Sequence, residues 1–158
     1  MGPAEQPAEY TVRDMRTALR FLDRFTNLEA AAGRIHGLSL EAMRGLVGVM
    51  GAPHRDVRSV HVTGTNGKGS VSAMVSSLLA AAGLKVGGYS SPHVDTVRER
   101  LTMGGEMIGE EAFAEVVADL ERYAAVAPER PSYFELLTAA AFLWFSNEAV
   151  EAAVVEVG

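Results

Sequence analysis

The sequence predicts an α/β fold in which a mostly parallel sheet is flanked by helices. Short apolar runs alternate with longer segments of helical periodicity, which is the pattern of repeated strand and helix units. The runs are apolar at consecutive positions, as in parallel strands that are covered on both faces. One run also leads through a glycine-rich turn straight into a helix-like segment, which is typical of a strand–turn–helix unit.

Each element follows from a local signal. Apolar residues at spacings of three and four, with Thr11 and Asp14 placed as a capping box, predict the first helix. Gly83 ends the third helix, and Ser132 with Glu135 predicts a second capping box at the start of the last one. The predicted elements are helix 11–26, helix 40–50, strand 57–63, helix 69–82, strand 85–89, an irregular stretch over 90–108, helix 110–125, helix 132–146 and strand 152–157.

Composition excludes several classes of protein. With 158 residues and 48% hydrophobic content, the chain can bury a core, and its length favours one domain. A net charge of -6 disfavours a nucleic-acid binder, and the absence of cysteine excludes disulfides and thiolate metal sites. The segment MGPAEQPAEY lacks the features of a secretory signal, and the longest apolar run is shorter than the about 20 residues that span a bilayer. We therefore expect a cytoplasmic protein with no nucleic-acid or membrane partner.

The turn TGTNGKGS at 63–70 has the residues of a phosphate-binding loop. Where a strand turns into a helix, backbone N–H groups and the helix dipole attract anions. The three glycines allow the backbone to approach phosphates closely, while Lys68 can reach the β- and γ-phosphates and Ser70 can offer its hydroxyl to Mg²⁺. The turn therefore indicates nucleotide binding, as in P-loop proteins.

The spacing of this turn distinguishes it from two common motifs. Its first two glycines are closer together than in the usual P-loop, and Gly69 intervenes between Lys68 and the hydroxyl residue. A dinucleotide fingerprint fits worse, because the next strand ends in Tyr89 and serines rather than in a ribose-binding acid. The simpler alternative is a helix-capping glycine turn with a solvated lysine.

Glu156 is the second candidate site residue. It follows four apolar residues near the carboxyl end of the last predicted strand, where acids of the Walker B type reach a metal ion. The alternative is an exposed carboxylate at an ordinary strand terminus. The nearby phosphate-loop pattern favours the metal ligand.

Five segments together resemble folylpolyglutamate synthase, including its bifunctional dihydrofolate synthase form, a family of the Mur-type ATP-dependent amide ligases. Their order and spacing cover nearly the whole chain after about residue 15, and the shortened P-loop resembles the family's own version. The segments are HVTGTNGKGS at 61–70, YSSPH at 89–93, RERL at 98–101, SYFELLTAAAF at 132–142 and VVEVG at 154–158.

The resemblance implies a P-loop NTPase-like sheet with flanking helices, corresponding to an incomplete central domain of a Mur ligase. On this basis residues 1–56 are a helical lead-in and 57–158 the P-loop α/β portion, together forming the N-terminal part of an ATP-binding domain. The resemblance implies that the family's C-terminal glutamate-binding domain is not part of this sequence. Because the chain stops at Gly158, just after a strand delivers its acidic residue, we expect a fragment that is inactive by itself.

The resemblance also implies a reaction and its participants. ATP would phosphorylate the carboxyl of dihydropteroate or of a reduced folate, and L-glutamate would displace phosphate from the resulting acyl phosphate. Lys68 is then the expected catalytic residue, and Ser70 and Glu156 are the expected Mg²⁺ ligands. The implied ATP-binding residues are Gly64, Thr65, Asn66, Gly67, Lys68, Gly69 and Ser70, and the implied substrate-binding residues are Ser91, Pro92, His93 and Arg100.

Some side chains have simpler explanations. Arg100 could form a surface ion pair with Glu99 or Glu106 instead of binding substrate. The aromatic residues within 142–145 lie on an apolar helix, which predicts a place in the core rather than cofactor stacking. His61, inside the first predicted strand, is expected to be a partly buried structural residue.

Two alternative hypotheses for function remain open. One is a truncated nucleotide-binding module that binds phosphate without ligase chemistry. The other is a Mur-type cell-wall amino-acid ligase. Such a ligase shares the P-loop but is not expected to carry both the SPH segment at 91–93 and the ERL segment at 99–101.

Overall fold

The computed structural model describes residues 12–27 and 39–157 of the chain. Over these residues the chain forms five α-helices, two 3₁₀ turns and one five-stranded sheet. Thr11, Gly158 and part of the predicted helical lead-in lie outside the described residues. The elements are α1 (Met15–Leu22), α2 (Glu41–Val49), a 3₁₀ turn (Pro53–Arg55), β1 (Arg58–Thr63), α3 (Lys68–Ala81), β2 (Val86–Tyr89), a 3₁₀ turn (Val97–Arg100), β3 (Leu101–Met103), β4 (Glu106–Met107), α4 (Glu110–Val126), α5 (Tyr133–Asn147) and β5 (Ala152–Val157).

The sheet is mixed, with strand order β1-β5-β2-β3-β4. Strand β5 pairs in parallel with β1 on one side and with β2 on the other, so the last strand in sequence lies between the first two. Strands β3 and β4 add an antiparallel hairpin beside β2. The predicted α/β sheet is therefore present, and its parallel part is formed by β1, β5 and β2.

The hairpin of β3 and β4 corrects the prediction of an irregular stretch over 90–108. Its strands have only three and two residues, which is too short for hydrophobic periodicity to reveal them. Gly104 and Gly105 join them with φ angles of 58° and 89°, and consecutive positive φ values are typical of a tight hairpin turn. In the sequence, the adjacent glycines 104 and 105 are the feature that indicates this hairpin turn.

Helices cover the two faces of the sheet unequally. Helix α3 packs on one face, where Val62, Val86 and Val154 form a small apolar cluster. Helix α5 packs on the other face, within a larger core that also includes α1 and α4. Because side chains alternate along a strand, Glu156 lies on the α3 face with Val154.

Helix α5 is the central element of the larger core. The predicted core position of its aromatic residues is confirmed, because Trp144 and Phe145 are buried and Phe142 packs against the same cluster. The predicted capping box is also present, with the Glu135 carboxylate accepting the Ser132 N–H at 2.8 Å. Helix α5 therefore begins and packs as its sequence predicts.

Helix α1 is shorter than predicted and is capped differently. The observed capping box joins Asp14 and Thr17, with the Thr17 N–H donating to Asp14 Oδ1 at 2.8 Å. The helix consequently begins at Met15 and ends at Leu22, within the predicted range 11–26. Asp14 is the N-cap residue here, one turn later than the prediction placed the cap.

Strand β1 is an edge strand of the sheet, and this position explains one wrong prediction. Within the described ranges, β1 pairs only with β5, and His61 is exposed rather than partly buried. The outer face of α3 is also open to solvent, with Val71, Met74 and Leu78 exposed.

Among the described helices, none is both long and apolar enough to cross a membrane.

Gly87 in β2 lies in close contact with α5. A Cβ atom added there would be 2.6 Å from two carbons of the Phe145 ring, which is fully buried. We expect Gly87→Ala to lower the free energy of unfolding by about 1–3 kcal/mol, because Phe145 cannot move without disturbing the core. Urea unfolding of the chain measures this difference.

Gly48 in α2 provides a matched control for Gly87. No atom lies within 4 Å of a Cβ added at Gly48, so alanine meets no obstacle there. Because alanine favours helix, Gly48→Ala is expected to raise the free energy of unfolding by about 0.5–1 kcal/mol. Equal destabilisation by both substitutions would contradict the packing argument.

Candidate active site

The candidate site lies at the carboxyl edge of the sheet, where the parallel strands β1, β5 and β2 end. The strand register aligns Thr63 with Val157 and Tyr89 with Val155, so the three strand ends lie side by side. The glycine-rich turn 64–67 follows β1, and the Ser91–Pro92 segment follows β2. Open parallel sheets bind ligands at this edge.

The glycine-rich turn joins β1 directly to the N-terminus of α3. Gly67 is the N-cap of α3 and has φ = 76°, a left-handed conformation that glycine adopts without strain. The first helical hydrogen bond runs from the Val71 N–H to the Gly67 carbonyl at 3.0 Å. The N–H groups of the preceding residues are thus at the helix end, where the dipole favours an anion.

Lys68 lies over this turn. Its ammonium donates to the Gly64 carbonyl oxygen at 2.8 Å, so the side chain folds back toward the start of the loop. The ammonium thus lies close to the first glycine of the turn. Ser70, in the first turn of α3, is exposed.

Glu156 is buried at the end of β5, with 9% of its surface exposed. Its Oε2 atom lies 3.7 Å from a Cβ built on Gly69, which places the carboxylate against the first turn of α3. Within the described part of the chain, the carboxylate has neither a hydrogen bond nor an ion pair. The predicted alternative of an exposed strand terminus is therefore wrong.

The Glu156 carboxylate lines the cavity and has no partner among the described residues, so a cation in the cavity could bind it. Ser70 lies in the first turn of α3, against which the Glu156 carboxylate lies. The Ser70 hydroxyl and the Glu156 carboxylate both offer the oxygen ligands that Mg²⁺ prefers. The described residues contain no group of three or more His, Cys, Asp or Glu arranged around a metal. Magnesium commonly uses only one or two carboxylates and completes its coordination with phosphate oxygens and water, so these residues fit the ion.

A cavity of about 510 Å³ opens on the α3 face of the sheet and reaches this corner. Gly69 and Glu156 line one part of it, and Ser91 and Pro92 line another. Much of the remaining wall consists of small and hydroxyl-bearing residues from α3 and the β-hairpin. A ligand in this cavity could therefore approach the phosphate loop and Glu156 together.

His93 and Arg100 are in direct contact, and neither is a solvated surface residue. The Arg100 Nε–H donates to His93 Nδ1 at 2.9 Å, and only 2% of the Arg100 surface is exposed. Because an arginine N–H can only donate, His93 Nδ1 is the acceptor in this contact. The predicted surface ion pair of Arg100 is inconsistent with this burial.

Glu99 binds three consecutive backbone N–H groups. They belong to Val94 at 2.9 Å, Asp95 at 3.0 Å and Thr96 at 2.7 Å. The N–H groups of Val94 and Thr96, and then that of Asp95, hold the pKa of Glu99 below its usual value. The carboxylate therefore supports this loop at neutral pH, and the support is lost as the pH falls through the lowered pKa.

Sequence reasoning did not single out Glu99 for this role. The signal was present, because Thr96 and Glu99 have the spacing of a capping box, which the structure forms at the Val97–Arg100 turn. The predicted site residues are otherwise distributed around one edge of the sheet. Gly69, Glu156, Ser91 and Pro92 line the same cavity, whereas Arg100 is buried and in contact with His93.

Known proteins resemble this chain in sequence and in fold. No protein-family model matches the chain. A dihydrofolate synthase/folylpolyglutamate synthase of Bacillus subtilis is 34% identical over 146 residues, covering 85% of this chain and 34% of that protein. Folylpolyglutamate synthase of Mycobacterium tuberculosis, solved in complex with ADP, superposes with a TM-score of 0.80 at 32% identity, covering 91% of this chain and 32% of that chain. The chain belongs to the folylpolyglutamate/dihydrofolate synthase family.

A third comparison adds a ligand-bound member of this family. A folylpolyglutamate synthase complex with AMPPCP and folate matches with a TM-score of 0.79 at 31% identity, covering 92% of this chain and 35% of that chain. The predicted fold class, a P-loop-containing part of a Mur-ligase fold, is confirmed by these matches. The chain spans about a third of the length of each of these three family members.

Proposed function

We propose that this sequence represents the N-terminal part of an ATP-dependent ligase that joins L-glutamate to the carboxyl group of dihydropteroate or of a reduced folate. Residues 1–56 would be its helical lead-in and 57–158 the P-loop portion of its ATP-binding domain. The observation that carries the proposal is the position of the Glu156 carboxylate against Gly69, which follows Lys68 in the first turn of α3, where Gly69 and Glu156 both line one cavity. Family membership supports the identity of the substrates.

Each residue at this corner has a role in the proposed phosphoryl transfer. The loop from Gly64 to Ser70 would hold the phosphates of ATP with its backbone N–H groups. Lys68 would exchange its contact with the Gly64 carbonyl for a phosphate oxygen and offset the charge that develops during transfer. Ser70 and Glu156 would hold Mg²⁺, which neutralises phosphate charge when bound.

The chemistry proceeds in two balanced steps. A carboxylate oxygen of the acceptor forms a bond to the γ-phosphorus of ATP as the bond to the bridging oxygen breaks, giving an acyl phosphate and ADP. The amino group of L-glutamate then attacks the acyl carbon, phosphate leaves and the amine loses a proton. Activation is required because an oxide is a poor leaving group, whereas phosphate leaves readily.

The substrate carboxyl must lie near the γ-phosphate for this reaction. The cavity provides that geometry, because Gly69 and Glu156 line the same space as Ser91 and Pro92. Ser91, Pro92 and His93 would bind the acceptor on the pterin or folate side. Dihydropteroate and reduced folates both bring an apolar ring system and a carboxylate, so the proposal includes both.

An isotope experiment on the full-length protein tests this function. With ¹⁸O in the acceptor carboxyl, ATP, Mg²⁺ and L-glutamate should give a glutamylated product and labelled inorganic phosphate. The label reaches phosphate because the acyl phosphate keeps one carboxylate oxygen on phosphorus. Product without labelled phosphate would exclude the acyl phosphate, and ATP binding with no product would favour the module without ligase activity. Turnover only with cell-wall peptide precursors would favour a Mur-type ligase.

A further inference from the structure

We propose that Glu99 is a positioning residue that fixes the substrate-facing SPH loop, residues 90–96, from the neighbouring Val97–Arg100 turn. This inference rests on the proposed function, because it assigns the loop to acceptor binding. It also changes the role expected for Arg100, which would act through His93 rather than touch the substrate.

The Val97–Arg100 turn is itself firmly anchored. Val97 is buried, and Leu101, directly after the turn, is fully buried in the larger core. The Arg98 Nη1 group donates to the Ile108 carbonyl at 2.9 Å, which ties the turn to the segment after β4. The turn can therefore serve as a rigid support.

The SPH loop has few anchors of its own. Val94, at its tip, is 89% exposed and contributes no apolar packing. Instead the loop is bound to the turn, since the Ser90 N–H donates to the Arg100 carbonyl at 3.1 Å and His93 accepts from the Arg100 side chain. These contacts hold the beginning and middle of the loop.

The Glu99 carboxylate holds the remainder of the loop. Its Oε2 atom accepts from Val94, and its Oε1 atom accepts from both Asp95 and Thr96. Hydrogen bonds to a charged acceptor are stronger than neutral ones, and three donors on one carboxylate fix the path of three consecutive peptide units. Because these units directly follow His93, fixing them also restricts the position of Ser91 and Pro92, which line the cavity.

Glu99→Gln tests the inference with little change in shape. Glutamine offers one acceptor oxygen and an NH₂ group, and the NH₂ would face a backbone N–H donor. We expect amide hydrogen exchange at 94–96 to become roughly tenfold faster. In the full-length enzyme, the KM for the pteroate or folate acceptor should rise roughly 10-fold or more through misplacement of the loop, while the KM for ATP stays unchanged.

Glu106→Gln is the matched control, because Glu106 is exposed on the edge strand β4. It should alter neither exchange at 94–96 nor either KM. Unchanged exchange in Glu99→Gln would overturn the structural part of the inference. Faster exchange with an unchanged acceptor KM, or an equal rise in both KM values, would overturn the positioning role. An inactive wild-type enzyme would instead refute the proposed function, together with the inference that rests on it.

Discussion

Replacing Lys68 by alanine in the full-length protein is expected to lower glutamate-dependent ATP turnover by roughly 10²- to 10³-fold. Lys68 is the cation of the glycine turn, where its ammonium lies 2.8 Å from the Gly64 carbonyl oxygen. Phosphoryl transfer depends mainly on positioning and charge neutralisation, so loss of this ammonium removes stabilisation of the transition state. Steady-state release of ADP with saturating acceptor and glutamate measures the effect.

Lys85→Ala is the matched control for this prediction. Lys85 is the only other lysine in the sequence, and it forms an exposed ion pair with Glu148, 2.9 Å away. It lies at the amino end of β2, opposite the carboxyl edge, so its loss should leave turnover unchanged. The phosphate-loop assignment would be refuted by normal turnover in Lys68→Ala, or by an equal loss in both variants.

Replacing Glu156 by glutamine is expected to lower activity without lowering stability. The carboxylate lines the cavity and has no partner among the described residues, so removing its charge should not lower the free energy of unfolding measured without Mg²⁺. Turnover should fall roughly tenfold or more, and the Mg²⁺ concentration for half-maximal turnover should rise. Urea unfolding with and without Mg²⁺, combined with a Mg²⁺ titration of turnover, measures both.

Glu151→Gln provides the corresponding control. Glu151 lies before β5 at the opposite edge of the sheet, where its carboxylate accepts the Lys85 N–H at 2.9 Å. Glutamine can keep that contact, so both stability and Mg²⁺ dependence should be close to those of the wild type. A Glu156→Gln variant that is less stable without metal and has normal Mg²⁺ dependence would show a purely structural carboxylate.

The elements that could be predicted from sequence are those with local signals. Strand β5 could be predicted from its consecutive apolar residues. The start of α5 could be predicted from the spacing of Ser132 and Glu135. The strand–turn–helix unit at the glycine turn could be predicted because a β-branched run, glycines and a helical segment are adjacent in the chain. The likeness of five separated segments to one family predicted family membership, which local signals do not contain.

The remaining features depend on contacts between distant residues. The edge position of β1, and with it the exposure of His61, follows from strand order, which local patterns do not determine. The burial of Arg100 depends on how its turn packs into the core. The three N–H contacts of Glu99 depend on the path of a loop whose tip has no apolar anchor, so a capping-box spacing alone does not reveal their role.

The place of β5 in the sheet has a consequence for synthesis on the ribosome. Strands β1 and β2 are far earlier in the chain, yet they have no direct pairing with each other and are joined only through β5. Until the residues of β5 emerge, the glycine turn stands at the end of an unpaired strand. Because parallel pairing over such a sequence separation forms late, the loop and the carboxylate opposite it become ordered in one event. A nascent chain should acquire nucleotide affinity abruptly rather than gradually as it lengthens.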